Sequence, residues 1–313
     1  MYPSTLLMVV VVAGAAVVYG GYPAANTPAA QFWEQALPGT PMPEVIADLV
    51  QRGSDHSPLA ERYSALPGTS NLCIIYDTKL PSAEARKCLF FHEEQLRPGS
   101  TMTFNFPAEE GLAILPHDVA QKVPFGNLDD VLAAFHIPVG SAEAAQVEHT
   151  LSLCRAPPLA GEAKACATSL ESTVQSATDM LGGATNAGAV RAATPEVPAA
   201  GLPRQPYVVQ AVTPLDGDHH VACHVMPFPY AVYQCHMSAV MSEKVYVVSL
   251  RGLSDGSAAD MVAFCHLDTS KWNPGHPAFE VLHTRPGATP VCHFMPYGNL
   301  AFIKDEGDRS LAC

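Results

Sequence analysis

The spacing of apolar positions changes twice along this chain, and each change predicts a different kind of structure. Leu72 to Tyr76 and Cys88 to His92 are short apolar runs of strand character, and Met102 to Phe106 alternates apolar with polar. Alternation with period two marks a strand with one face buried. From Asp129 the spacing becomes helical. Asp129 to Phe135 predicts a short helix, and Ser141 is placed to cap a second, with Glu143 in its first turn and Val147, Leu151 and Cys154 on one face. Ala167, Leu170, Val174, Ala177 and Leu181 follow steps of three and four and predict a third helix, stopped by Gly182-Gly183. After a connector rich in Ala, Gly and Pro over 182–206, the pattern reads as strand almost throughout: Tyr207–Val212, Val232–His236, Val245–Leu250, Met261–His266, Phe279–Leu282 and Leu300–Ile303. The predicted class is α+β, with a helical section followed by a β-rich C-terminal half.

The region before residue 71 is different. Leu6 to Val18 is a continuous apolar run with Gly20 and Gly21 just behind it. It is short for a membrane span and reads as a secretory signal peptide over residues 1–21. Residues 22–87 are rich in Pro and Ala and repeat Ala-Leu-Pro-Gly-Thr at Ala36–Thr40 and Ala65–Thr69. Pro-Gly predicts a turn at each copy. Pro43 to Val50 predicts a short helix, and Phe32 and Trp33 are the anchors of this segment.

Charge narrows the partners. The net charge of −13 opposes binding to nucleic acid or to an anionic membrane surface, both of which need basic patches. With 48% hydrophobic and 15% charged residues, the chain has the composition of a folded protein.

Candidate chemistry concentrates in the C-terminal half. The dipeptide Cys-His occurs at Cys223-His224, Cys235-His236, Cys265-His266 and Cys292-His293, with 10, 28 and 25 residues between successive pairs. Each lies in a strand-like run, so its sulfur and its imidazole point to opposite faces. Four such strands side by side would give one face of thiols and one of imidazoles. Secretion places the cysteines in an oxidising compartment, where disulfides persist. The four motif cysteines are then expected to pair among themselves, Cys154 with Cys166, and Cys73 with Cys88 across a hairpin. Cys313 is the odd one out among nine. His224, His236, His266 and His293 remain as candidate metal ligands, since neutral imidazole is the commonest one. A mixed Cys/His zinc site is disfavoured, because no Cys-x-x-Cys element is present. Gly252-Leu-Ser-Asp-Gly256 satisfies the pattern of a nucleophile elbow, but a strand is predicted to follow it where an elbow needs a helix. The pairs Glu93-Glu94 and Glu109-Glu110 read as solvated turns, not as a glycosidase dyad.

These features together resemble the plant BURP-domain proteins. The resemblance covers residues 88–304, leaving 305–313 as a tail. It rests on Phe90-Phe91 with Glu93, on Leu96-Arg-Pro-Gly99, on Ile114-Leu-Pro116 and Val123-Pro-Phe125, on the block Gly161 to Glu171, and on the four Cys-His pairs. The stretch Gln31 to Pro43 is similar to the anther-expressed, raftin-like branch of grasses. The resemblance implies a secreted protein with a structural or developmental role in the extracellular matrix or cell wall, in anther and pollen-wall development. It also implies an alternative, since some members are copper-dependent autocatalytic peptide cyclases that crosslink a Tyr or Trp side chain. No array of repeated short peptides around an aromatic residue precedes the domain here, so a non-enzymatic role is expected, with copper as the one cofactor the family suggests.

Overall fold

The computed structural model describes residues 27–55, 90–106, 112–158, 161–183, 190–217, 219–238 and 243–304. The apolar leader, the second Ala-Leu-Pro-Gly-Thr copy, the run Leu72–Tyr76, Cys73, Cys88, the Glu109-Glu110 pair and Cys313 lie outside the described residues.

Two antiparallel sheets form the body. Strands β1 (Phe90–Phe91), β2 (Thr101–Phe106), β5 (Leu202–Pro214), β8 (Glu243–Gly252), β9 (Ala258–His266) and β10 (Val291–Phe294) make one sheet, in the order β1-β10-β9-β8-β5-β2. Strands β3 (Glu162–Ala167), β4 (Val190–Ala193), β6 (His219–Met226), β7 (Val232–Ser238) and β11 (Leu300–Lys304) make the other, in the order β3-β7-β6-β11-β4. Alternation is clean in β2, whose burial runs exposed–buried through Met102, Phe104 and Phe106, as predicted. By contrast β6, β7 and β9 are buried along most of their length. They are covered on both faces, which explains their nearly continuous apolar sequences. Ala222, Ala301 and Ile303 of the five-stranded sheet cluster with Val245, Val262 and Phe264 of the six-stranded one, so the sheets meet face to face there.

Helices cover the outer surface: α1 (Pro28–Ala36), α2 (Glu44–Asp55), α3 (His117–Ala120), α4 (Leu128–Ala134), α5 (Ala142–Arg155), α6 (Leu170–Met180) and α7 (Pro277–Val281). The predicted cap at Ser141 is present, and the structure adds one at Asn127. Ser141 Oγ accepts from Ala144 N at 3.1 Å, and Asn127 Oδ1 accepts from Asp130 N at 3.3 Å. Helix α6 starts later than its period suggested. Ser169 caps it, accepting from Ser172 N at 3.2 Å, while Cys166 and Ala167 belong to β3. Cys154, on α5, is therefore disulfide-bonded to a strand and not to the next helix. The predicted strand Phe279–Leu282 is instead helix α7. His276 caps it, Pro277 occupies its first position, and Ala278 N donates to His276 Nδ1 at 3.2 Å. That cap satisfies an otherwise orphaned amide, and the local signal prevails over the β-like residues behind it. The connector 182–206 also contains structure, β4 and the start of β5.

The N-terminal helices are part of the same core. Trp33, Leu37, Ile46 and Leu49 are at most 1% exposed and belong to the large cluster that includes Leu170, Val225, Tyr233 and Phe302. Trp33 Nε1 donates to Thr40 O at 2.9 Å, closing the first Pro-Gly turn, where Gly39 has φ +83°. Helix α2 is tied to the domain by Ile114 N donating to Leu49 O at 2.9 Å, and by Tyr297 Oη donating to Asp48 Oδ2 at 3.0 Å.

Candidate metal centre

The register of two strand pairs builds the site. In β6 and β7, Cys223 stands directly opposite Cys235; in β9 and β10, Cys265 stands directly opposite Cys292. Both pairs are disulfide-bonded, and all four sulfur-bearing residues are fully buried in the main core. Each histidine follows its cysteine by one residue and so projects from the opposite face. His224 and His236 thus sit diagonally across β6–β7, and His266 and His293 diagonally across β9–β10.

The four strands do not lie side by side as expected. Two belong to each sheet, because β8 and β9 form a hairpin that carries the third Cys-His pair into the six-stranded layer. The imidazole faces of the two sheets then oppose each other. His224 Nε2 lies 3.2 Å from His236 Nε2, and His266 Nε2 lies 3.4 Å from His293 Nε2. Across the gap between sheets, the rings of His224 and His293 are 5.9 Å apart. All four candidate ligands therefore gather in one chamber.

The outer nitrogens of the rings have fixed partners. His236 Nδ1 is 3.1 Å from Glu162 Oε1, with both side chains under a tenth exposed. His266 Nδ1 is 3.1 Å from Glu243 Oε1, its cross-strand neighbour in the β8–β9 register. His293 Nδ1 donates to Phe294 O at 3.3 Å, and Asn299 Nδ2 lies 3.1 Å from His224 Nδ1. Aromatic side chains line the rest: Phe264 stacks on His293, Trp272 meets His266 edge-on at 4.9 Å, and a fifth imidazole, His276, lies 4.6 Å from Trp272.

Burial sets the charge state. It holds His224 well below the usual imidazole range, helped by the neighbouring rings, and it pushes His293 down to about 3, with His266 adding to the effect. Burial raises Glu243, but its hydrogen bond to His266 and the charge there outweigh this and lower it overall. Burial thus favours the neutral ring at His224 and at His293.

His276 gives this electrostatics a measurable consequence. Burial, with His266 beside it, pushes its imidazole down to about 4. The unfolded chain takes up this proton near pH 6.5, whereas the folded chain resists until about 4. Stability present above pH 6.5 is therefore lost as pH falls through that window, by roughly 3 kcal/mol. His276→Asn keeps the helix cap and removes the titration. Urea unfolding at stepped pH should show a shallower loss between pH 6.5 and 4 in the variant; equal slopes would refute the assignment.

A transition-metal ion fits the chemistry of these donors. Two nitrogens bound at 2.0–2.1 Å to one ion, with about 90–110° between them, are roughly 2.9–3.4 Å apart. Both ring pairs have that spacing. Carboxylate or carbonyl acceptors behind ligand imidazoles are also the usual outer partners of such sites. Among the described residues no group of three or more His, Cys, Asp or Glu side chains is placed so that it could hold a metal ion. Donors from both sheets reach a common ion only when the two pairs draw together.

Glu162, Glu243, Asn299, Trp272 and His276 were not singled out in the sequence. Glu162 lies inside the block Gly161 to Glu171, but its role depends on the β3–β7 pairing, which no local pattern reveals. The other candidates fall elsewhere. Gly252 to Gly256 forms the β8–β9 turn, with Gly256 N donating to Gly252 O and Ser254 N to Gln205 Oε1. Glu93 pairs with Lys244 at 2.8 Å on the surface.

Comparison with known proteins agrees with this architecture. The family model described as the BURP domain matches residues 89–304. Protein RAFTIN 1A of Triticum aestivum is 43% identical over 222 residues, which cover 69% of this chain and 56% of the relative. BURP domain-containing protein 13 of Oryza sativa subsp. japonica is 40% identical over 259 residues, 80% of this chain and 61% of the relative. The chain thus spans less than two thirds of these relatives' length. BURP domain-containing protein 2 of the same rice is 35% identical over 317 aligned positions, 96% of this chain and 97% of the relative. With a match to the domain over most of its length and four Cys-His pairs built into two facing sheets, the chain belongs to the BURP-domain family.

Proposed function

We propose that this chain is a secreted protein of the extracellular matrix, acting in the anther and pollen wall, whose domain binds one transition-metal ion, copper by preference, in the histidine chamber. The observation that carries the metal reading is the contact between His266 and His293. Each ring donates its Nδ1 proton outward, to Glu243 and to Phe294 O, so their Nε2 lone pairs face each other at 3.4 Å. Such a contact becomes favourable when a cation lies between the nitrogens. Imidazole donors select copper over magnesium or calcium. Secretion is supported by the apolar leader and by three disulfides among the described residues, bonds that persist in oxidising compartments. The pollen-wall role draws on similarity to the raftins.

The metal would be held by imidazole nitrogens of the chamber and would supply Lewis-acid or one-electron redox chemistry there. Glu162 and Glu243 orient two of the rings, while Phe264 and Trp272 exclude water. Metal analysis of the natively secreted protein should find about one copper per chain, lost in His266→Gln and in His293→Gln. A metal-free native protein would overturn the metal reading, and immunolocalisation to cytosol or nucleus would overturn the matrix role.

A second reading is oxidative crosslinking of a Tyr or Trp side chain, with dioxygen accepting the two electrons and two protons removed. One observation favours it: His293 is half-buried while the other three histidines are at most 5% exposed, so it is the candidate ligand nearest to the surface. Incubation with Cu(II) and oxygen should then produce a two-hydrogen mass loss in the chain or in added Tyr- or Trp-containing peptides. An unchanged mass in both would exclude this chemistry.

A further inference from the structure

We infer that the four rings are not equivalent: His266 and His293 are the metal donors, while His224 is held by Asn299 as the Nε2–H tautomer and serves as a positioning donor that occupies the Nε2 lone pair of His236. The inference rests on the metal reading for its donor assignment, but the tautomer follows from the protein alone. Asn299 is fully buried, and its amide can face only one way. Its Oδ1 accepts from the backbone N–H of Val225 at 3.0 Å, so its Nδ2 faces His224 Nδ1 at 3.1 Å. An amide N–H₂ only donates. Nδ1 of His224 must therefore be the acceptor, and in the neutral ring the proton sits on Nε2. That proton is donated across 3.2 Å to His236 Nε2.

The other three rings are set the opposite way. Glu162 and Glu243 are acceptors behind Nδ1 of His236 and His266, and Phe294 O is an acceptor behind Nδ1 of His293. Each of these rings carries its proton on Nδ1; the Nε2 lone pairs of His266 and His293 face the chamber, while that of His236 accepts from His224. Rotating the Asn299 amide to change His224 would place an N–H₂ against the Val225 N–H, two donors in a fully buried position, which loses that hydrogen bond and leaves both donors unpaired. A metal entering the chamber thus meets two ready donors, His266 and His293, beside a pair already closed by its own hydrogen bond. His224 orients His236 rather than sharing the metal.

Nitrogen-15 spectra of the metal-free protein with labelled histidine, recorded at neutral pH and assigned by His→Gln variants, read the tautomers directly. We expect protonated Nε2 at His224 alone, and protonated Nδ1 at the other three. Titration with Cu(II) then tests the roles. His224→Gln, whose side-chain oxygen can accept from Asn299, and His236→Gln should each weaken binding by about tenfold or less, while His266→Gln and His293→Gln should each weaken it by more than about a hundredfold. Asn299→Asp accepts from both Val225 and His224, moves the His224 proton to Nδ1, frees the Nε2 lone pairs of His224 and His236, and should tighten binding with added nitrogens in the copper hyperfine pattern. If Asn299→Asp does not fold, the His224→Gln comparison decides. A protonated Nδ1 at His224, or equal losses in all four Gln variants, would overturn the inference. Absence of copper binding in the wild type would overturn its donor half and the metal reading together, leaving the tautomer to be judged by the spectra.

Discussion

Replacing Cys265 and Cys292 together by alanine is expected to lower the unfolding free energy by about 3–4 kcal/mol. The bond closes a loop with a sequence separation of 27 residues, and releasing such a loop in the unfolded chain gives about that loss. The shorter loop between Cys223 and Cys235, with a separation of 12, should cost slightly less, about 3 kcal/mol, when opened. The first effect should exceed the second even though the sulfurs are equally buried, because chain entropy sets the difference. Both double variants should also weaken metal uptake, since each bond pins the register that brings two imidazoles together. Urea unfolding of the oxidised proteins provides the measurement. A loss below about 1 kcal/mol in either variant would mean that strand pairing alone holds these histidines in place.

The second large effect is expected at Gly53. This glycine lies near the end of α2, and alanine is intrinsically the better helix former by about 1 kcal/mol. On an exposed helix Gly53→Ala would stabilise. Here a Cβ would fall 1.8 Å from the carbonyl oxygen of Ile114 and 2.5 Å from its carbon, both backbone atoms that cannot swing aside. The two segments must separate, breaking the bond from Ile114 N to Leu49 O and opening the contact around Leu49. We expect a net loss of about 3 kcal/mol, the upper end of overpacking effects. Thermal unfolding would show it, and a stabilised Gly53→Ala would mean that α2 is not seated against this segment.

Much of this architecture was legible from local pattern, and the failures have identifiable causes. Strands such as Val245–Leu250 and Met261–His266 were readable because their residues fit a pleated buried surface, whatever their partner. The face of α6 was readable from steps of three and four, but its start was not, since Ala167 continued the helical spacing by coincidence while Ser169 held the cap. Phe279 to Leu282 carries the aromatic and β-branched residues of a strand, yet the His276-Pro277 start signal prevails and makes it helical. The split of imidazole and sulfur faces followed from strand alternation alone. That the imidazole faces oppose each other across two sheets did not, because it depends on which of several antiparallel partners each strand takes. Glu162 and Glu243 were hidden for the same reason. Each reaches its histidine through pairing with a strand remote in sequence, and no spacing rule encodes that choice.

Tyr297, Gly298 and Asn299 form one tight turn, and it is gripped from two sides. Outside, Tyr297 donates to Asp48, and Gly298, at φ +78°, leaves only 3.0 Å between a Cβ position and Leu49. Inside, Asn299 orients His224. The matched domain begins at residue 89, yet helix α2 presses on the outer side of the lever whose inner end sets a chamber ring. Sequence changes in the segment ahead of the domain are thereby wired to the histidines, so relatives that share all four Cys-His pairs but differ around residues 44–55 need not share the same chamber.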